Sequence, residues 1–381
     1  MKPLLYRSVP AWAWLALFLL PGAGPALTAL GVLARSGELA SLPQVVGRQA
    51  PDAPLALYGA AYSDFTAALK LATWQQRRPQ VLAYGNSRVM QFRAGFFPPR
   101  TSFYNAGGLV GDLPDYRGRL ASIPLADQPD ILLVGIEHFY FIQEDRAFVP
   151  ELPAGSAAVD LWERHWRTVL HDYEDGKYGL GQVLLARASR IGLQAVVHSN
   201  GFRNDGSYRY GRILQEAVVA GADSAGRFRG SLEEIRRGTG RYIHRSEVRP
   251  AALKEFAALL ETCRKRRLHV VAFLPPFADA TYAAMQQQGE RYAYLRALAP
   301  ALQTTFAATD FTFADFTDPA ILGGGVAEFL DDCHGSEKTY LRLLLALARK
   351  DRRLHAALDI PHLEQLLSQC PGDLQVFPEP L

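Results

Sequence analysis

Two short stretches carry the residue types of a nucleophile and its base. The run Gln80 to Phe92, QVLAYGNSRVMQF, begins as an apolar, strand-like segment, breaks at Gly85 and resumes with helical character. Ser87 stands at that break. A serine there is either a helix N-cap, accepting from free N–H groups, or a nucleophile at the carboxyl edge of a sheet. Near the other end, EFLDDCHGSEKTY places Asp331 and His334 three apart in a turn before a helix. That spacing lets a carboxylate hold the far nitrogen of an imidazole while the near nitrogen faces a hydroxyl, with Asp332 as the competing orienter. An ordinary polar turn is the other way to account for the same residues.

Two more segments fall at strand ends. SFYNAGGLVGD, Ser102 to Asp112, closes a strand with clustered glycines, where Gly107 or Gly108 can offer a backbone N–H to an oxyanion. DILLVGIEHFYF, Asp130 to Phe141, carries Glu137 and His138 at its tip. AFLPPFAD, Ala272 to Asp279, leaves its strand through two prolines, which force an extended exit and shape a cleft wall.

The elements that must position these groups follow from periodicity. Strand-length apolar runs without strict alternation occur at Val81–Tyr84, Phe103–Asn105, Ile131–Val134, Val270–Leu274 and Phe311–Phe316, as expected for strands covered on both faces. Helical patterns separate them, including Pro250 to Arg266 and Ser336 to Lys350. The alternation predicts an α/β fold, a doubly wound parallel sheet that binds ligands at its carboxyl edge. Phe148 to Arg249 breaks the pattern with Gly, Arg and Tyr, and reads as an insertion over that edge. Its Arg203, Asp205, Arg209 and Tyr210 suit a polar substrate, unless they knit the loop to itself through ion pairs.

Composition sets the outer limits. The 381 residues are 49% hydrophobic and 21% charged, with a net charge of +3. This is a globular balance without the basic surface of a nucleic-acid binder. Three scattered cysteines support neither a disulfide framework nor a zinc site, and no metal or cofactor is expected. After Lys2 and Arg7 no charge appears until Arg35. A helix from Ala11 to Leu33 would be about 34 Å long, enough to cross a bilayer core of about 30 Å. An uncleaved anchor at 1–35, a cleaved signal ending near Pro21 and Pro25, and a buried soluble helix compete. The positive flank favours an anchor with the remainder outside the cytoplasm. The expected organisation is then a linker with helix over 36–77, the α/β domain over 78–350 with its insertion at 148–249, and an extension over 351–381.

On these blocks the sequence resembles the SGNH (GDSL-like) hydrolase superfamily. Its Gly-Asp-Ser block reads Gly85-Asn86-Ser87, its glycine block Asn105-Ala106-Gly107, and its Asp-x-x-His block Asp331 to His334. The resemblance covers about 78–146 and 268–350, and not the insertion. It looks closest to the membrane-anchored branch that includes alginate O-acetylation proteins and the teichoic-acid D-alanine transfer protein. It implies flavodoxin-like layering, Ser87 as nucleophile, His334 as base, Asp331 as its orienter, and the N–H groups of Ser87 and Gly107 for the oxyanion. Asn86, Arg88, Asn105, Glu137, His138, Arg203 and Tyr210 are the candidates for substrate contact. The implied activity is an extracytoplasmic serine acyltransferase or esterase on a cell-envelope polysaccharide, partnered by a membrane-bound O-acyltransferase. A non-catalytic glycan-binding or scaffold module is the alternative.

One departure bears on that choice. Where the family has Gly-x-Asn-Asp, this chain has Gly135-Ile136-Glu137-His138. An ionised Glu137 cannot donate to an oxyanion. Either it binds something else, or two backbone donors suffice, or the site is no longer catalytic. From sequence, Glu137→Asn is expected to leave ester turnover at least unchanged.

Overall fold

The computed structural model describes residues 11–150, 158–220 and 224–377, with side chains in the first helix from 23 onward. Among the described residues nine strands form two sheets: β1 (Leu57–Tyr58), β2 (Val81–Gly85), β3 (Phe103–Gly107), β4 (Ile131–Gly135), β5 (Arg190–Ile191), β6 (Asn200–Phe202), β7 (Tyr208–Tyr210), β8 (His269–Leu274) and β9 (Thr312–Asp315). The larger sheet runs β3-β2-β4-β8-β9 and is parallel throughout. The first strand of this sheet therefore lies inside the second, which is the flavodoxin-type order with its switch point between β2 and β4. Register aligns the tips there: Tyr84 lies opposite Ala106 and Val134, and Gly85 opposite Gly107. Whatever follows Gly85, Gly107 and Gly135 emerges side by side.

The main helices are α1 (Ala11–Ser36), α2 (Thr66–Arg77), α3 (Leu113–Ala121), α4 (Ala158–Glu174), α5 (Gly211–Ala220), α6 (Pro250–Lys265), α7 (Tyr294–Phe306) and α8 (Glu337–Ala348). Alternate residues of each parallel strand feed two separate cores. Leu82, Tyr84, Leu132, Val134, Val270 and Ala272 pack with Trp74, Tyr116, Phe256 and Leu302 from α2, α3, α6 and α7. Val81, Ala83, Leu133, Val271 and Phe273 pack with Leu341 and Leu344 of α8 on the other face. Burial on both faces explains why these strands lack polar alternation.

Two expected boundaries change. The segment 36–77 is part of the folded body: β1 pairs with β5 and β6, while Trp74 is fully buried and donates its indole N–H to the Asp127 carbonyl (3.0 Å). The segment after 350 also belongs to the core, since Leu354, Leu358, Leu363 and Val376 pack beneath α8. The expected anchor falls mostly on residues whose side chains lie outside the described set. Among the described residues no helix is long and apolar enough to cross a membrane.

Part of the insertion packs against β3, the edge strand of the central sheet, and the turn that follows β2. The β6–β7 hairpin is bonded to the central sheet through Asn105 N–H to the Asp205 carbonyl (2.9 Å) and Tyr208 N–H to the Met90 carbonyl (3.0 Å). Gly206 at its turn has φ +80°, and a Cβ there would lie 2.1 Å from the Asn105 carbonyl oxygen. Only glycine permits that approach.

Candidate active site

Ser87 opens a short 3-10 turn, Ser87–Val89, directly beyond β2. Asn86 is its cap, its side-chain oxygen accepting the Arg88 N–H at 2.9 Å. Ser87 is thereby relieved of the capping role that the sequence allowed it. The Ser87 N–H lies at the first position of the turn, where backbone N–H groups have no intrahelical acceptor.

From the far end of the chain comes the loop before α8. His334 Nε2 lies 2.8 Å from Ser87 Oγ. His334 Nδ1 lies 2.8 and 3.0 Å from the two Asp331 carboxylate oxygens. The Asp331 carboxylate also accepts the N–H groups of Cys333 (2.9 Å) and His334 (2.7 Å), so the three-residue spacing folds the turn around its own carboxylate. Asp332 is not the orienter, because its carboxylate is taken by the Tyr242 hydroxyl. The arrangement is a hydroxyl, an imidazole and a carboxylate in series, able to pass a proton from oxygen to nitrogen. Asp331, Cys333 and His334 hold ligand-type atoms within 4.8 Å of one another. The imidazole and carboxylate are already committed to each other, and Cys333 Sγ receives a guanidinium N–H from Arg241 at 2.9 Å.

Burial alone would lower the pKa of His334, but the adjacent Asp331 carboxylate outweighs it and raises the imidazole well above its ordinary 6.5. Cys333 stays a thiol, since burial raises its own pKa. A base must be neutral to act, so ester turnover should climb with pH along a limb lying above 6.5. Asp331→Asn removes the attraction, and the limb should move downward. A pH–rate profile of the two proteins checks the shift. Protonated His334 stabilises the fold in the opposite sense: that contribution is full below 6.5 and is lost as pH rises through the higher folded value.

The oxyanion side differs from expectation. The Gly107 N–H donates to Asn105 Oδ1 at 2.8 Å, and the Gly108 N–H to the Gly85 carbonyl at 3.0 Å. Asn105 is fully buried and its amide nitrogen holds the Val89 and Phe92 carbonyls (2.8 and 2.9 Å), so it braces the loop that follows Ser87. Gly107 is therefore not a free donor.

Glu137 and Arg88 form a buried ion pair at 3.1 Å, with side chains 4% and 2% exposed. The guanidinium also donates to the Pro275 and Pro276 carbonyls at 2.9 and 2.7 Å, and lies over the Phe277 ring. The other Glu137 oxygen accepts from the Asn86 amide at 2.8 Å. Burial opposes this charge, but Arg88 overrides it and holds the Glu137 carboxyl well below its usual range. Glu137 thus fixes both neighbours of Ser87, and the charges of Glu137 and Arg88 are engaged with each other. His138 is also buried: Arg88 donates toward its Nδ1 (3.3 Å), which places the proton on Nε2, facing Thr317 Oγ1 at 2.8 Å. Burial lowers its pKa, and it stays neutral.

The insertion residues divide. Arg203 is buried against Glu337 (3.4 Å), and Asp205 against Arg93 (3.3 Å). Burial raises the Asp205 carboxyl, yet Arg93 and Arg203 hold it at about 2. Arg209 is buried as well. Of the four, Tyr210 reaches the site, its ring centroid 5.7 Å from that of His334. Sequence reasoning missed the grip on the Asp-x-x-His loop by Arg227, on the Phe329 and Leu330 carbonyls, and by Arg241 and Tyr242. Only the density of Arg and Tyr in the insertion pointed there.

No protein-family model matches the chain, and no curated protein matches it.

Proposed function

We propose that the protein is an SGNH-type serine acyltransferase or esterase, acting outside the cytoplasm on acyl groups of a cell-envelope polysaccharide. The observation that carries the reading is the continuous hydrogen-bond series from Ser87 Oγ through His334 to Asp331 at the switch point of the sheet. Ser87 Oγ attacks an ester carbonyl while His334 Nε2 takes its proton. The Ser87 N–H faces the developing oxyanion, and the proton passes to the departing alcohol. The acyl-Ser87 ester is then transferred to a sugar hydroxyl, or hydrolysed by water, with His334 taking the proton of the incoming group. Asp331 orients the imidazole and stabilises its charge. The uncharged N-terminal run supports attachment to a membrane, where a membrane-bound O-acyltransferase would supply the acyl group.

A second reading, a non-catalytic glycan-binding or scaffold module, has one observation in its favour. Glu137 cannot donate and the Gly107 N–H is engaged, so two of the donors that the family resemblance implies are missing. Loss of one such donor typically lowers the rate by about 10²–10³. A fluorophosphonate probe separates the readings. The first requires covalent labelling at Ser87, absent in Ser87→Ala and in His334→Ala. Native, folded protein that stays unlabelled favours the scaffold.

A further inference from the structure

Helix α1 does not end where an anchor would hand over to a flexible tether. Its last turns are built into the folded body. Ala29, Val32 and Leu33 are buried against Val169, Tyr178, Val183 and Leu193. The Ser36 carbonyl accepts the Gly192 N–H at 2.7 Å. One residue beyond Gly37, the buried Glu38 carboxylate accepts the N–H groups of Ala61, Tyr62, Ser63 and Leu193, at 2.7 to 3.1 Å.

Among the described residues the opposite side of the same turns has no such partners. Between residues 23 and 34 the helix carries no charge, and its outward side presents Gly24, Leu27, Thr28, Leu30, Gly31 and Ala34. Leu27 is 65% exposed. Beside the helix end, where Arg35 donates to the Leu184 carbonyl at 3.1 Å, Leu184 and Leu185 are 67% and 83% exposed. A water-facing helix normally places charged residues on that side. Here the charge-free face continues, in sequence, into the uncharged run that begins at Ser8, so the chain arriving from the N-terminus brings the same character to it. The neighbouring α4 keeps Asp160, Glu163, Arg164 and Arg167 exposed while packing Leu161 and Val169 inward.

We propose that the outward face of α1, together with Leu184 and Leu185, lies against the lipid bilayer. The inference rests on the membrane attachment proposed above and goes beyond it: the domain is mounted rigidly on the membrane, and Ser87 is held at a fixed orientation to the surface. Arg35, the first charge after the run, then lies at headgroup level, where its cation meets lipid phosphate. Apolar residues with a flanking cation are the pattern of an interfacial contact.

The test uses the full chain in vesicles of phosphatidylcholine and phosphatidylglycerol, in a Cys370→Ser background. A bimane label is attached at Leu27→Cys, at Leu185→Cys, or at Val219→Cys, an 89% exposed position on α5. With lipid spin-labelled high on the acyl chain, emission at positions 27 and 185 should fall by about half or more, and that at 219 should not. Protein that floats with the vesicles but shows no quenching at 27 and 185 overturns the proposed face and leaves the attachment standing. Protein that does not float overturns both. A label at 27 shielded from lipid quencher and from aqueous iodide alike means that a protein covers the face, and the bilayer assignment is wrong.

Discussion

Ser87→Ala will abolish ester turnover and leave the fold close to intact. Were Ser87 a helix cap, the substitution would lower stability by about 0.5–2 kcal/mol and spare the activity. The cap is Asn86, so the substitution removes only the 2.8 Å bond to His334, worth about 1 kcal/mol. The effect on turnover is of another order. In a working triad, loss of the nucleophile or the base lowers kcat by roughly 10⁶. His334→Ala should therefore match Ser87→Ala, and the double variant should be no worse than either, because the groups act as a unit. Asp331→Asn should be less severe. Turnover of a small activated ester, with urea unfolding of each variant, checks the set. Equal activity in wild type and Ser87→Ala would return the serine to a structural role.

Much of this geometry is legible in the sequence. Ser87 and His334 are 247 residues apart, yet one follows the first apolar strand run and the other the last, and parallel strands converge at one edge. The five central strands were legible because burial on both faces leaves unbroken apolar runs. The small sheet β5-β1-β6-β7 was not. Its strands have two or three residues, too few for any periodicity, and they come from before β2 and from between β4 and β8. The same limit applies to side-chain partners. Nothing local to Gly107 reports that Asn105, two residues earlier, turns its amide oxygen back onto the Gly107 N–H. Nothing near Glu137 names Arg88, 49 residues away, as the charge that accounts for it. Residue type was readable at those positions, while the partner depended on which strand tips the register brings together.

Glu137 is where that difference gives the sharpest reversal. From sequence, Glu137→Asn restores a donor and is expected at least to preserve turnover. In the fold it removes the carboxylate paired with Arg88, leaving a guanidinium 2% exposed beside a neutral amide. Breaking one side of a buried ion pair typically costs about 3–5 kcal/mol, because the remaining charge stays desolvated. The shorter Asn also loses its reach to Asn86, so the nucleophile turn is released together with Arg88. Glu137→Asn should therefore unfold at markedly lower urea and turn over less ester per folded molecule, not more. Arg88→Met should be comparably unstable for the mirror reason. Arg88→Met combined with Glu137→Leu should recover much of the stability, since an apolar pair replaces two desolvated charges. Acid adds an independent check. Arg88 depresses the folded-state pKa of Glu137, so the stability it contributes is complete above the ordinary value of 4.5 and is lost as pH falls below it. The wild type should lose stability on acidification more steeply than the double variant. Parallel slopes for the two proteins, with Glu137→Asn as stable as wild type, would mean that the ion pair does not hold the nucleophile turn.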